Sequence, residues 1–84
     1  MTGRISVRTL FFGVYGELAA RREGSAELAT DSTVEDLVRA LRGPGGLDWL
    51  PERVVVAVNQ RYAESGTRLA NGDEVALIPP VAGG

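Results

Sequence analysis

Residues 34–42 carry the pattern that most limits how this chain can fold. Val34, Leu37, Val38 and Leu41 recur at i, i+3, i+4 and i+7, so one apolar stripe runs down one side of a helix. Ser32 with Glu35 fits a capping box at its start, and Thr33 with Asp36 is a competing register. Arg39 and Arg42 fall in the last turn, where cations favour the negative end of the helix dipole. Gly43-Pro44-Gly45-Gly46 then stops the helix. A single amphipathic helix of this length must bury its stripe against something else.

The rest of the chain supplies a sheet. Ile5 to Phe12 reads as a strand, with Ile5, Val7, Thr9 and Phe11 on one face. Its end is apolar on both faces, so that end is covered twice or meets a partner. Gly13 to Arg22 reads as a turn and a short helix with Leu18 and Ala19 on its apolar side, and Ser25 to Ala29 as a second strand. Leu47 to Glu52 is a loop holding the only tryptophan, Trp49, read as packing against the core or the loop. Val54 to Val58 is an unbroken apolar run, expected to be central. Asn59-Gln60 begins a turn, Arg61 to Ala63 is a short edge strand, Asn71-Gly72 is a turn, and Glu74 to Ile78 is the last strand. Pro79-Pro80 ends it, because proline cannot donate to a ladder. This order predicts an α+β domain, a mixed sheet of about five strands packed on one main helix.

Composition narrows the chemistry. The chain has 84 residues, 44% apolar and 24% charged, which suits one small soluble domain with little room for a deep cleft. No apolar run approaches a membrane span and no leader pattern opens the chain, so no membrane association and a cytoplasmic location are expected. The net charge is −2 and the nine basic residues are scattered arginines, which argues against nucleic acid as partner. There is no cysteine, histidine or lysine. Thiolate nucleophiles, common metal sites and Schiff bases are thereby excluded. No metal and no bound cofactor are expected, and the chain is not expected to be an enzyme by itself.

The chemistry is then expected at the end of the chain or on a partner. Two prolines stiffen the exit from the last strand, and Val81-Ala82-Gly83-Gly84 follow as a thin arm. Pro80, Val81, Ala82 and Gly83 suit threading into a narrow slot of another protein. Residues 1–80 are read as the folded domain and 81–84 as its tail. The reactive group is expected to be the carboxylate of Gly84. Adenylation makes it a mixed anhydride, and sulfide displaces AMP to leave a thiocarboxylate. Terminal glycines also occur on idle ends, so the dipeptide alone is a weak signal.

The chain resembles the small subunits of molybdopterin synthase, within the ubiquitin-like β-grasp sulfur carriers. The resemblance is carried by Ala57-Val58-Asn59-Gln60, Asn71 to Ala76, and Ile78 to Gly84, with support from Leu10-Phe11-Phe12 and from Thr33 to Leu37. It implies a β-grasp fold. It implies an E1-like adenylyltransferase that spends ATP on Gly84, a sulfur donor, and insertion of the tail into a large synthase subunit within a heterotetramer. Sulfur would pass there to cyclic pyranopterin monophosphate, with two carriers used per product. The resemblance also points to a partner surface holding Tyr62, Ile78 and Phe12, although Ile78 and Phe12 read equally well as core. Gly16 stands where many members carry an arginine before Glu17-Leu18. Carriers for thiamine or cysteine synthesis and ubiquitin-like protein modifiers use the same kind of end and stay as alternatives.

Overall fold

A computed structural model describes residues 3–80 of the chain. Seven elements follow one another: β1 (Arg4–Phe11), α1 (Val14–Ala19), β2 (Glu23–Ala29), α2 (Val34–Arg42), β3 (Val55–Val58), β4 (Arg61–Ala63) and β5 (Glu74–Ile78). The five strands form one mixed sheet in the order β2-β1-β5-β3-β4. β1 and β5 run parallel, and every other neighbouring pair is antiparallel. The parallel pair requires a long crossover, and α2 lies within it.

The helix stripe and one face of the sheet make the core. Val34, Leu37, Val38 and Leu41 are all buried, with Leu37 fully enclosed. They meet Ile5, Val7 and Phe11 of β1, Val56 of β3, and Val75 and Leu77 of β5. Alternation along β1 sends Ile5, Val7, Thr9 and Phe11 inward as expected, while Arg4, Ser6 and Arg8 face out. The expected α+β arrangement of about five strands on one main helix is therefore observed.

Local chemistry explains the element ends. The capping box uses Thr33 and Asp36 rather than Ser32 and Glu35. The Asp36 amide donates to Thr33 Oγ1 at 3.3 Å, and the Thr33 amide donates to Asp36 Oδ2 at 2.9 Å. The Ser32 amide instead donates to the Ala29 carbonyl at 3.1 Å, and the Ser32 carbonyl accepts from the Leu69 amide at 2.8 Å, which joins the segment before β5 to the helix start. Asp36 is held below the usual carboxylate range, first by the Thr33 amide, then by its hydroxyl and by Arg39. At the other end, the Gly43 amide returns to the Arg39 carbonyl at 3.0 Å and the Leu47 amide to Leu41 at 2.9 Å. That fold-back sinks Leu47 and Leu50 into the core.

Three sequence readings need correction. β2 begins at Glu23, two residues earlier than expected, because the ladder with β1 extends to the Leu10–Glu23 pair. The central strand is β5, with β3 beside it. In α1 the inward residue is Tyr15, not Leu18. The Tyr15 ring lies 5.4 Å from that of Trp49 and fills the space beneath the short helix, leaving Leu18 53% exposed. Trp49 is half-buried against the core cluster, as read.

Candidate functional site

The chain leaves the sheet at the end of β5, and three elements converge there. The Phe12 amide donates to the Leu77 carbonyl at 3.1 Å, fastening the end of β1 to the last residues of β5. Gly13 follows with φ 53°, a left-handed conformation that disfavours other residues. A Cβ on Gly13 would lie 3.2 Å from Pro79 Cγ, so the start of α1 sits tight against the first proline of the exit. Pro79 is half-buried and Pro80 exposed. The body thus packs against Pro79, and Pro80 is the last described residue. Val81, Ala82, Gly83 and Gly84 lie outside the described residues.

The β3–β4 hairpin forms the other wall. Asn59 and Gln60 both have positive φ, 51° and 71°, which fits a tight two-residue connection matched to strand twist. Asn59 pins this turn to the start of β5. Its Oδ1 accepts from the Glu74 amide at 3.0 Å, its Nδ2 donates to Asp73 Oδ1 at 3.0 Å, and its own amide donates to the Glu74 carbonyl at 2.8 Å. Asp73 Oδ2 in turn accepts from the Ala70 amide at 2.7 Å, and Asn71 Oδ1 from the Ser6 amide at 2.8 Å. The two short motifs at residues 59–60 and 71–74 are one polar clasp that sets β4 relative to β5.

That clasp fixes which side chains share the sheet face turned away from α2. Ile78 pairs with Val55, Ala76 with both Ala57 and Leu10, and Ala57 with Tyr62. Because paired residues project to the same face, Leu10, Ala76, Ile78, Val55, Ala57 and Tyr62 form one apolar strip beside the tail root. Tyr62 is 79% exposed and stands on the edge strand. Ile78 is half-buried. Phe12 is 48% exposed, which settles that it is not core, and it continues the alternation of β1 towards this face. The three expected surface residues are therefore brought to one region.

Val55 was missed. Its unbroken apolar run reads as buried on both sides, yet Val55 is 47% exposed and faces Ile78 across the ladder. Only the pairing register reveals it. The opposite end of the same face is polar: Arg8 bonds Glu23 and lies 3.8 Å from Glu74, and Arg4 lies 3.5 Å from Glu27. The bond to Glu23 raises the Arg8 guanidinium further above its ordinary value.

Gly16 has a steric reason. A Cβ there would lie 3.0 Å from the Phe11 carbonyl oxygen, so a larger residue would ask that backbone to give by a few tenths of an ångström, whereas Arg22 Cγ at 3.6 Å would be in ordinary contact. Among the described residues no group of three His, Cys, Asp or Glu side chains gathers at a point. None of the described helices is long and apolar enough to cross a membrane.

The fold and this tail root define a class: a small β-grasp domain whose apolar sheet face flanks the exit of its own C-terminal segment. Comparison with known proteins gives the family. Residues 9–84 match the ThiS family. The molybdopterin synthase sulfur carrier subunit of Caenorhabditis briggsae is 36% identical, with 95% of this chain and 99% of that protein covered. The chain belongs to the ThiS family of sulfur carriers. Among solved structures, the small archaeal modifier protein 1 of H. volcanii is 30% identical with a TM-score of 0.79, covering 92% of this chain and 99% of that one. A subunit from the complex of subunits 1 and 2 of the molybdopterin-converting factor of Helicobacter pylori is 25% identical with a TM-score of 0.69, covering 95% and 100%.

Proposed function

We propose that this chain is the sulfur-carrier subunit of a molybdopterin synthase and that its working group is the carboxylate of Gly84. The observation that carries the reading is the build of the exit, where the start of α1 packs against Pro79 and an apolar face is presented beside it. The names of the similar proteins support it.

The chemistry follows from the end group. A carboxylate is a poor electrophile until an E1-like enzyme attaches AMP from ATP. Sulfide from a donor then attacks the acyl carbon, a C–S bond forms, the C–O bond to AMP breaks, and a thiocarboxylate remains. Docking the folded body delivers this nucleophile to the large subunit, so binding energy remote from the reacting atom supplies proximity. Tyr62, Ile78 and Phe12 belong to the docking surface. Pro80, Val81, Ala82 and Gly83 thread the tail, and Gly83 and Ala82 keep it narrow. Catalytic side chains belong to the large subunit, and the chain itself holds no cofactor.

A single-turnover reaction tests this. Thiocarboxylated chain, purified large subunit and cyclic pyranopterin monophosphate are expected to give molybdopterin, with two carriers consumed per product. A carrier that binds the subunit but keeps its sulfur would overturn the assignment. A second reading, transfer of the activated end to lysine amines of other proteins, draws on the likeness to small archaeal modifier protein 1. Covalent adducts on cellular proteins, dependent on ATP and on Gly84, would favour it.

A further inference from the structure

Five large hydrophobic side chains stand exposed among the described residues: Phe12, Val14, Leu18, Val55 and Tyr62. Val55 and Tyr62 belong to the sheet strip, and Phe12 sits at the tail root. Val14 and Leu18 do not belong to that strip. They lie at i and i+4 on α1, hence side by side on one flank of the helix, and are 49% and 53% exposed. Neither position serves the core, which takes Tyr15 from this helix. The Phe12 carbonyl accepts from the Tyr15 amide at 3.0 Å, so α1 begins in the turn that follows Phe12. Isolated surface hydrophobes need no explanation, but an exposed apolar pair on the helix that starts against the exit at Gly13 and Pro79 marks an interaction site.

Size points the same way. Four strands about 4.8 Å apart and residues two apart along each give the sheet strip, with side-chain margins, a footprint of roughly 300 Å². A stable protein partner covers about 800 Å² on each side. The strip supplies less than half of that area; the threaded tail adds to it, and α1, which lies against the same exit at Gly13 and Pro79, offers more.

We propose that the Val14–Leu18 flank of α1 is a second docking ledge, covered by an apolar shelf on the large subunit that receives the tail. This rests on the reading of the chain as that subunit's carrier. The sheet strip and the ledge then both adjoin the exit at Pro79. A partner that draws the tail into a slot must surround its root, and these two surfaces are what it meets.

The test is calorimetric titration of purified large subunit with three forms of the full chain: wild type, the double variant Val14→Ser/Leu18→Ser, and Tyr62→Ala as reference. Both ledge residues are about half exposed, so the double variant is expected to keep its melting temperature. Leu18→Gln alone replaces it if the melting temperature falls. Loss of the ledge is expected to weaken binding at least tenfold, given the apolar area at stake. Unchanged affinity for the ledge variant beside weakened binding of Tyr62→Ala overturns the ledge and leaves the carrier reading intact. No binding by the wild-type chain overturns the carrier reading itself. A wild-type dimer in sedimentation that the ledge variant dissolves assigns the flank to a second copy and also overturns the proposal.

Discussion

Replacing Tyr62 by alanine separates a side chain that holds the fold from one that holds a partner. An aromatic side chain offers about 200 Å² for burial. With Tyr62 79% exposed, roughly 160 Å² of it is still free, an upper bound of about 4 kcal/mol at ~25 cal/mol per Å². Interfaces realise only part of such area, and truncating a central aromatic typically costs about 2 kcal/mol. Affinity for the large subunit is therefore expected to fall about 30-fold. Only about 40 Å² is buried in the free domain, worth about 1 kcal/mol at most, and a domain of this size loses roughly 4–8 °C per kcal/mol. Titration calorimetry and a thermal melt of the same preparation read both numbers. A large fall in melting temperature with unchanged affinity would refute the reasoning, because it would make Tyr62 a structural residue.

Three further expectations concern the body that carries the tail. Gln60→Gly relieves a left-handed residue in the β3–β4 turn and is expected to raise stability by about 0.5–1 kcal/mol in urea unfolding; a loss would mean the side chain makes a contact worth more than the strain. Leu37→Ala empties a fully enclosed position and is expected to cost about 2–5 kcal/mol, much of the roughly 4–12 kcal/mol available to 84 residues, so partial unfolding at 37 °C should appear in circular dichroism. Asp36 has a folded pKa below its unfolded value, so its contribution is present above the unfolded value and lost as pH falls through the folded one. Asp36→Asn should then be destabilising near pH 7 and indistinguishable from wild type at the acid end of a urea series; an equal difference at both ends would show that the charge is not what matters.

The helix was legible because its period is local. Val34, Leu37, Val38 and Leu41 announce one face whatever surrounds them, and the structure buries all four. The capping register was open in the sequence since both Ser32–Glu35 and Thr33–Asp36 have the right chemistry. The neighbouring backbone decided it, as the Ser32 amide, which a Ser32–Glu35 box would need, already donates to the Ala29 carbonyl. Leu18 was misread because in a six-residue helix the period has too few repeats to choose a face, and the Tyr15–Trp49 contact chose it. The site divides similarly. Tyr62, Ile78 and Phe12 could be named from a resemblance, but Val55 joins them only through its pairing with Ile78, a fact of register between strands some twenty residues apart. The polar clasp made by Asn59, Asp73 and Glu74 was visible as two separate turn motifs, and only the fold makes them one device.

The claim that matters most is chemical and sits on one atom group, the terminal carboxylate of Gly84. Intact-mass spectrometry of the chain after incubation with ATP, its adenylating enzyme and a sulfide source reads it directly. The expected result is a mass gain equal to exchanging one oxygen for sulfur, located by fragmentation at Gly84 and lost when one residue is added after it. An unchanged mass with an enzyme shown to be active on this chain, or sulfur placed elsewhere, would contradict the assignment.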